Sequence, residues 1–174
     1  MIFVTVGASD IPYDRLVTTI DKLATDGVFT EEVFVQIGHS KIPAGKLTFA
    51  RFLSYDEMNA RADEASLIIT QGGPGSIMLA LERGNIPIVV PRQKTFGEAV
   101  DNHQVLFSQK LAAENKILLV YDIADLKDTY LSYRERTANI EVSAQAVAEK
   151  ATLFGNRLEQ LILNLRTPGQ DARR

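Results

Sequence analysis

The feature that most constrains the fold is a series of five short apolar runs, rich in β-branched residues and separated by helical or polar stretches. The runs are nearly continuous in apolar residues, which is typical of strands covered on both faces. Strands that alternate with helices pair in parallel. The sequence therefore predicts an α/β fold, a three-layer Rossmann-like parallel sheet with helices on both faces. We predict its strands at residues 2–6, 33–37, 67–70, 86–90 and 117–120.

The stretches between these runs carry helical signals. Apolar residues recur at helical spacing over 13–25, and Ser54 and Glu57 stand at capping-box spacing. Further helices are predicted over 76–83 and 102–114. A last apolar stripe predicts a long C-terminal helix over 141–166, which either packs on its own domain or crosses to a partner subunit. We expect a single domain over 1–166 and a frayed, disordered polar tail at 167–174.

Composition excludes several classes of function. A formal net charge of −3 gives no basic face for a nucleic-acid partner. The absence of cysteine excludes disulfides and thiolate zinc sites, and the two histidines lie too far apart to form a metal-ligand pattern. No apolar run approaches the ~18–20 residues of a membrane span, and the N-terminus is typical of a strand, not a signal peptide. We expect a cytoplasmic chain without a metal.

The loops that follow the strands are the places to look for a ligand, because open α/β sheets bind ligands beyond the carboxyl ends of their strands. The first such loop holds the candidate binding residues Gly7, Ala8 and Ser9. Gly7 gives a ligand close access to the backbone. Ser9 and Asp10 are also explained as ordinary turn or capping residues, so both interpretations stay open.

The second loop is rich in glycine and leads into a predicted helix. Bare N–H groups and the positive dipole end at a helix N-terminus bind phosphate. The loop lacks the Gly-Lys-Ser/Thr ending of a P-loop, and Met78 stands where a dinucleotide fingerprint needs its third glycine. A glycine-rich turn without a ligand is the alternative. The candidates are Gln71, Gly72, Gly73, Pro74, Gly75 and Ser76.

The third loop, residues 91–104, is long for a strand-to-helix connection and dense in polar groups. Its basic side chains suit phosphate charge, its acidic side chains suit sugar hydroxyls, and its amide side chains suit polar edges. Taken singly, each residue is also explained as solvated surface. Asp101 is equally suited to capping a helix, and His103 either contacts substrate or makes a structural hydrogen bond. The candidates are Arg92 and Lys94 for phosphate, Glu98 and Asp101 for hydroxyls, and Asn102, His103 and Gln104.

Two segments, ITQGGPGSI at 69–77 and IVVPRQ at 88–93 running on to DNHQ at 101–104, resemble the C-terminal, donor-binding domain of family 28 glycosyltransferases. The likeness extends over roughly residues 1–125 and includes 4–7, 13–16 and 35–38. It is greatest to stand-alone subunits of this type. These belong to the two-component N-acetylglucosaminyltransferase of the dolichol pathway and to bacterial exopolysaccharide transferases.

The resemblance implies one half of a GT-B fold whose UDP-sugar site is lined by the glycine-rich turn and by residues 91–104, Gln93 included. It implies inverting transfer of N-acetylglucosamine or another hexose to a lipid-linked acceptor, with no cofactor besides the donor. The acceptor side and the membrane contact would lie on a second, membrane-attached subunit that recruits this chain. We expect the general base on that partner, with His103 as the local candidate.

Three positions depart from the family's pattern. Gln71 and Ala99 stand where histidine is usual, and Leu79 stands where single-chain relatives place a glutamate. Glutamine cannot act as a base near neutral pH, and leucine cannot bind a hydroxyl. Two alternatives therefore stay open: a non-catalytic accessory subunit that binds and activates a membrane-attached transferase, and a different enzyme on the same scaffold, such as a nucleotide-sugar epimerase.

Overall fold

The computed structural model describes residues 1–45 and 47–140, which form a six-stranded, fully parallel sheet in the order β3-β2-β1-β4-β5-β6. The α/β prediction and all five predicted strands are confirmed. The strand that the sequence did not predict, β3, is a three-residue edge strand whose side chains are largely exposed. The strands are β1 (Ile2–Thr5), β2 (Val33–Gln36), β3 (Thr48–Ala50), β4 (Leu67–Thr70), β5 (Ile88–Val89) and β6 (Leu118–Leu119).

Four of the six α-helices in the described ranges coincide with predicted ones. The capping box of α2 forms as expected, with Ser54 Oγ accepting from the Glu57 N–H at 3.3 Å. The helix expected from Ser76 begins earlier, at Pro74, because proline is favoured at the first helical position. The expected helix over 141–166 and tail at 167–174 lie outside the described residues. The helices are α1 (Asp14–Thr25), α2 (Tyr55–Glu64), α3 (Pro74–Leu81), α4 (His103–Ala113), α5 (Leu126–Leu131) and α6 (Tyr133–Thr137).

Alternate residues of each strand face opposite sides of the sheet, and each side is covered by its own helices. Val4 faces the side where α1 and α5 pack. Phe3 faces the other side, against α2 and α3, and α4 packs over Val89 on that side too. The three-layer arrangement is therefore confirmed. None of the helices in the described ranges is long and apolar enough to cross a membrane.

The connections leave β1 and β4 in opposite directions, although these two strands are neighbours. The chain runs from β1 through α1 to β2, and from β4 through α3 to β5, on opposite faces of the sheet. A parallel sheet has a crevice at such a switch point, between the two loops that diverge there. The register pairs Thr5 with Thr70, so the loops after these residues begin side by side.

Candidate functional site

The loop after β1 is fixed by a buried glutamine that sequence reasoning missed. Gln36, 3% exposed, accepts from the Gly7 N–H at 3.1 Å and donates to the Gly7 carbonyl at 3.1 Å. The Thr5 hydroxyl donates to the same side-chain oxygen at 2.7 Å. Because these groups would cost free energy if buried unpaired, they hold Gly7 in one position. The sequence feature that could have identified Gln36 is its position as a glutamine inside an otherwise apolar strand.

Gln71 fills the floor of the crevice between the first two loops. Its carbonyl oxygen accepts from the Thr70 hydroxyl at 2.6 Å, and its amide donates to the Ser76 hydroxyl at 3.3 Å. A Cβ atom added to Gly7 would lie 2.4 Å from this amide nitrogen, and one added to Gly73 would lie 2.9 Å away. The φ of +75° favours glycine at position 7, and any side chain there would also displace the Gln71 amide.

The glycine-rich turn packs closely against α4 and the third loop on one side and faces open space on the other. Gly72 has a φ of +91°, and a Cβ atom there would lie 3.0 Å from Ser108 Oγ and 3.3 Å from Pro91. A Cβ atom on Gly75 would meet nothing within 4 Å. The turn is thus held against α4 and the third loop, while Gly75 faces open space.

The N-terminus of α3 therefore presents donors to that open space. Pro74 is its first residue and has no N–H to offer. Within the helix the Ile77 N–H donates back to the Gly73 carbonyl at 3.1 Å, whereas the N–H groups of Gly75 and Ser76 belong to the first turn, which has no intrahelical acceptors. Together with the helix dipole, these donors suit an anion.

The structure gives Arg92 a different set of partners from the phosphate that the sequence suggests. The residue is 2% exposed. Its Nη1 donates to the carbonyls of Ile11 at 2.7 Å, Pro12 at 3.2 Å and Glu98 at 3.2 Å, and its Nη2 donates to Val6 at 3.0 Å. With its terminal nitrogens bonded to carbonyls, the guanidinium ties the first loop to the third. Direct phosphate binding by Arg92 stays a prediction that this geometry does not favour.

Glu98, expected to bind hydroxyls, is also engaged inside the protein. Both of its oxygens accept from Arg15, at 2.7 and 2.8 Å, and one accepts from the Gln93 N–H at 3.1 Å. The side chain of Gln93 donates in turn to the Tyr121 carbonyl at 2.7 Å. These contacts stabilise the shape of the third loop and leave neither carboxylate oxygen directed at solvent. The pairing of Arg15 with Glu98 carried no sequence signal, because the two residues are 83 positions apart.

The outer part of the third loop is exposed, and hydrogen bonds from its own polar side chains hold its two ends together. The Asn102 side-chain oxygen accepts from the Lys94 N–H at 3.1 Å, and that of Gln104 accepts from the Arg92 N–H at 3.4 Å. Both contacts join the ends of the loop. The exposed side chain of Lys94 is a cation beside this surface.

Asp101 and His103 form a pair at the start of α4. The carboxylate of Asp101 accepts from the backbone N–H of His103 at 2.9 Å and also contacts its ring Nδ1. The backbone hydrogen bond, followed by the ring contact, holds the pKa of the Asp101 carboxyl below its usual value. Asp101 thus satisfies the first N–H of the helix, while both side chains remain exposed and able to meet a ligand.

Ser9 serves as a turn residue, and Ala8 is exposed beside it. The hydroxyl of Ser9 accepts from the Ile11 N–H at 3.2 Å, and its carbonyl lies 3.1 Å from His39 Nδ1. The turn interpretation of Ser9 therefore accounts for these contacts.

Direct contacts thus join the three predicted loops at the carboxyl edge of the sheet. Gly7, Gln71, Gly73 and Ser76 meet at its crevice. Two depressions, of about 310 and 620 Å³, lie beside Glu31 at the opposite edge. Among the described residues no group of three or more histidine, aspartate or glutamate side chains could hold a metal.

The chain is similar in sequence and in fold to known glycosyltransferases. Residues 1–158 match the model of the glycosyltransferase family 28 C-terminal domain. Over 138 residues, 70% of the chain, the sequence is 25% identical to UDP-N-acetylglucosamine transferase subunit ALG13 of Yarrowia lipolytica, of which it covers 65%. The fold is similar to the solved glycotransferase of kitacinnamycin, with a TM-score of 0.55 and 16% identity over 90% of this chain and 43% of that one.

These comparisons confirm the expected fold. The described residues have the architecture of one half of a GT-B glycosyltransferase, the fold of the solved relative. The chain spans just under two thirds of the curated relative and less than half of the solved one.

Proposed function

This chain belongs to the family of glycosyltransferase family 28 C-terminal domains, and on that basis we propose that it is the donor-binding subunit of a two-component glycosyltransferase. The proposed reaction is inverting transfer of N-acetylglucosamine or another hexose from a UDP-sugar to a lipid-linked acceptor. Family membership supports the reaction class. The similar protein from Yarrowia lipolytica, named as a subunit of a UDP-N-acetylglucosamine transferase, supports the donor and the subunit organisation.

The observation that carries the proposal is the open N-terminus of α3 at the switch point. Gly75 has no side chain and free space in front of it, so a diphosphate can approach the N–H groups of Gly75 and Ser76. The crevice floor is closed by the Gln71 amide. A helix N-terminus at the carboxyl edge of a parallel sheet is where nucleotide phosphates bind in this class of fold.

The contribution of this subunit to catalysis is electrostatic. Negative charge grows on the UDP leaving group as the glycosidic bond breaks, and fixed N–H dipoles stabilise that charge without having to reorganise. The exposed Lys94 supplies the positive charge that the buried Arg92 does not present. Asp101 and Asn102 are our candidates for hydroxyl contacts, because both are exposed on the same loop.

Deprotonation of the acceptor hydroxyl is assigned to the partner subunit. In an inverting transfer the acceptor attacks from the side of the sugar opposite the leaving group, so the base belongs on the acceptor side of the cleft. The proposed partner is a second Rossmann-like half, attached to the membrane, that carries the lipid-linked acceptor and recruits this chain to the inner face of the membrane. His103 remains the local candidate for a base.

A calorimetric titration with UDP tests the proposal, on the chain alone and with its candidate partner. The partner is sought as a protein with one N-terminal transmembrane helix and a second Rossmann-like domain. We expect saturable binding of UDP that uridine alone does not reproduce, and sugar transfer only when both subunits are present. Absence of UDP binding even in the complex would refute the donor-site assignment and leave the accessory-subunit alternative, which the departures at Gln71 and Leu79 favour.

A further inference from the structure

Arg15, which stands in the first turn of α1, makes a bidentate ion pair with Glu98 of the third loop, at 2.7 and 2.8 Å. The side chains are only 16% and 7% exposed. Parallel N–H bonds from one guanidinium to one carboxylate fix orientation as well as distance. Because little water reaches the pair, salt screens it weakly, and loss of one partner would leave a buried charge uncompensated.

The same guanidinium also lies close to two aromatic rings. Its Cζ is 4.8 Å from the centroid of the Phe96 ring and 5.4 Å from that of the Tyr13 ring, and the Cζ of Arg92 is 4.7 Å from the Tyr13 centroid. Arg15 also donates to the Pro91 carbonyl at 3.2 Å. The contact with Tyr13, which is buried, adds to the ion pair, whereas Phe96 is 61% exposed and its contact contributes less.

These contacts converge on the segment that connects two parts of the candidate site. Pro91 backs the glycine-rich turn, since a Cβ atom on Gly72 would lie 3.3 Å from it. Gln93 and Glu98 precede the exposed residues 101–103 on the same loop. A shift of this segment would therefore move both Pro91, which packs against the glycine-rich turn, and the polar residues that follow it in the third loop.

We propose that Arg15 is a positioning residue for donor binding, acting through Glu98 to hold the third loop against α1 and the glycine-rich turn. The inference rests on the proposed function, because the ligand it concerns is the UDP-sugar. Arg15 does not contact the ligand itself. Its Nε and Nη2 donate to Glu98, Tyr13 and Pro91, so its effect on affinity passes through the loop.

The test compares four variants in the complex with the partner: Arg15→Gln, Arg15→Lys, Glu98→Gln and the double variant Arg15→Gln/Glu98→Gln. The dissociation constant for UDP and the melting temperature are measured, together with amide hydrogen exchange of residues 93–104 in the isolated chain. We expect Arg15→Gln to weaken UDP binding on the order of tenfold or more. We also expect faster exchange in the loop and unchanged exchange in the sheet. Arg15→Lys recovers part of the affinity, because an ammonium keeps the charge but not both hydrogen bonds.

Arg83→Gln is the matched control, since it removes another partly buried arginine ion pair, at 2.6 Å from Asp63 of α2, in the turn that follows α3. Its affinity for UDP should equal that of the wild type. The double variant leaves no orphaned charge and keeps the test usable if Arg15→Gln does not fold.

Wild-type affinity and loop exchange in both the Arg15→Gln and the double variant would overturn the inference. So would a loss of protection spread evenly over the sheet, which a merely structural role predicts. If the wild-type complex binds no UDP, the proposed function fails. The exchange comparison then still decides whether Arg15 positions the loop.

Discussion

Arg92 donates from Nη2 to the main-chain carbonyl of Val6 at 3.0 Å, across 86 positions of sequence. This bond joins the end of the first strand to the start of the third loop. Together with the bonds from Nη1 to the carbonyls of Ile11 and Pro12, it fixes the first and third loops to each other on the β1 side of the crevice. Arg92, which the sequence predicts to bind phosphate, thus holds together the two loops that border the site.

Arg92→Ala should destabilise the fold before it affects any ligand. The change leaves the carbonyls of the buried Val6 and Glu98 without their donor. The part-buried bonds to the carbonyls of Ile11 and Pro12 are lost as well. We expect the free energy of unfolding to fall by about 3 kcal/mol or more, measured by urea denaturation. Lys94→Ala, at an exposed position of the same loop, should stay within about 0.5 kcal/mol of wild type. Equal stability of the two variants would contradict the role given to Arg92.

Gly72→Ala should cost more stability than the same change at Gly27. Both glycines have positive φ, +91° and +69°, so alanine is strained at either position. A Cβ atom at Gly72 also meets Ser108 Oγ at 3.0 Å, whereas at Gly27 it meets nothing within 4 Å. We expect Gly27→Ala to lower the free energy of unfolding by about 1 kcal/mol and Gly72→Ala by a further 1 kcal/mol or more, on the order of an overpacking cost. Matching losses would show that the turn is not packed as described.

Tyr13 should make the protein lose stability in alkali. Burial raises the pKa of its hydroxyl far above the usual value of about 10, and the hydroxyl donates to the Val90 carbonyl at 2.8 Å. The folded state keeps this proton while the unfolded chain releases it. Stability is therefore fully present below pH ~10 and falls above it, by up to about 1.4 kcal/mol per pH unit from this group.

The measurement is urea unfolding between pH 9 and 11 for wild type, Tyr13→Phe and Tyr55→Phe. Tyr13→Phe should show the shallower decline, because it has no hydroxyl to ionise. Tyr55, 80% exposed, serves as the control and should decline as the wild type does. Parallel curves for wild type and Tyr13→Phe would contradict the assignment.

His103→Ala should raise the pKa of Asp101 part of the way toward its usual value. The backbone N–H of His103 makes the larger contribution to the lowered pKa and remains in the variant, while the ring contact is lost. Carbon-13 NMR titration of the Asp101 carboxyl measures this directly. Because the folded pKa is lowered, the contribution of Asp101 to stability is present at neutral pH and is lost as the pH falls through that pKa. An unchanged pKa in His103→Ala would show that the ring contact is absent in solution.

The sheet could be predicted from the sequence because four of its strands are fully buried and a fifth, β6, is largely buried. Covered strands need continuous apolar side chains, and this demand is visible along the chain. Strand β3 has no buried residue, and its Phe49 is 37% exposed, so it carries no such pattern. The short helices α5 and α6 were missed for a related reason, since one or two turns give too few residues to show periodicity.

The location of the candidate site could also be predicted, but the partners of its charged residues could not. Loops at the carboxyl ends of parallel strands follow from topology alone. Whether a charged side chain faces solvent or the interior depends on partners distant in sequence, as Glu98 depends on Arg15. Each looks like a solvated residue in its own segment. Only the fold brings the two charges together.

The most direct test of the donor site is the affinity for UDP of Gly75→Ala beside that of Gln109→Ala, with the partner present. A methyl at Gly75 meets no protein atom within 4 Å and points toward the N-terminus of α3, where the diphosphate is proposed to bind. We predict that Gly75→Ala weakens UDP binding at least tenfold while its melting temperature stays at or above that of wild type. Gln109→Ala, exposed on α4, should bind as wild type does. Wild-type affinity in Gly75→Ala would contradict the placement of the nucleotide at this helix.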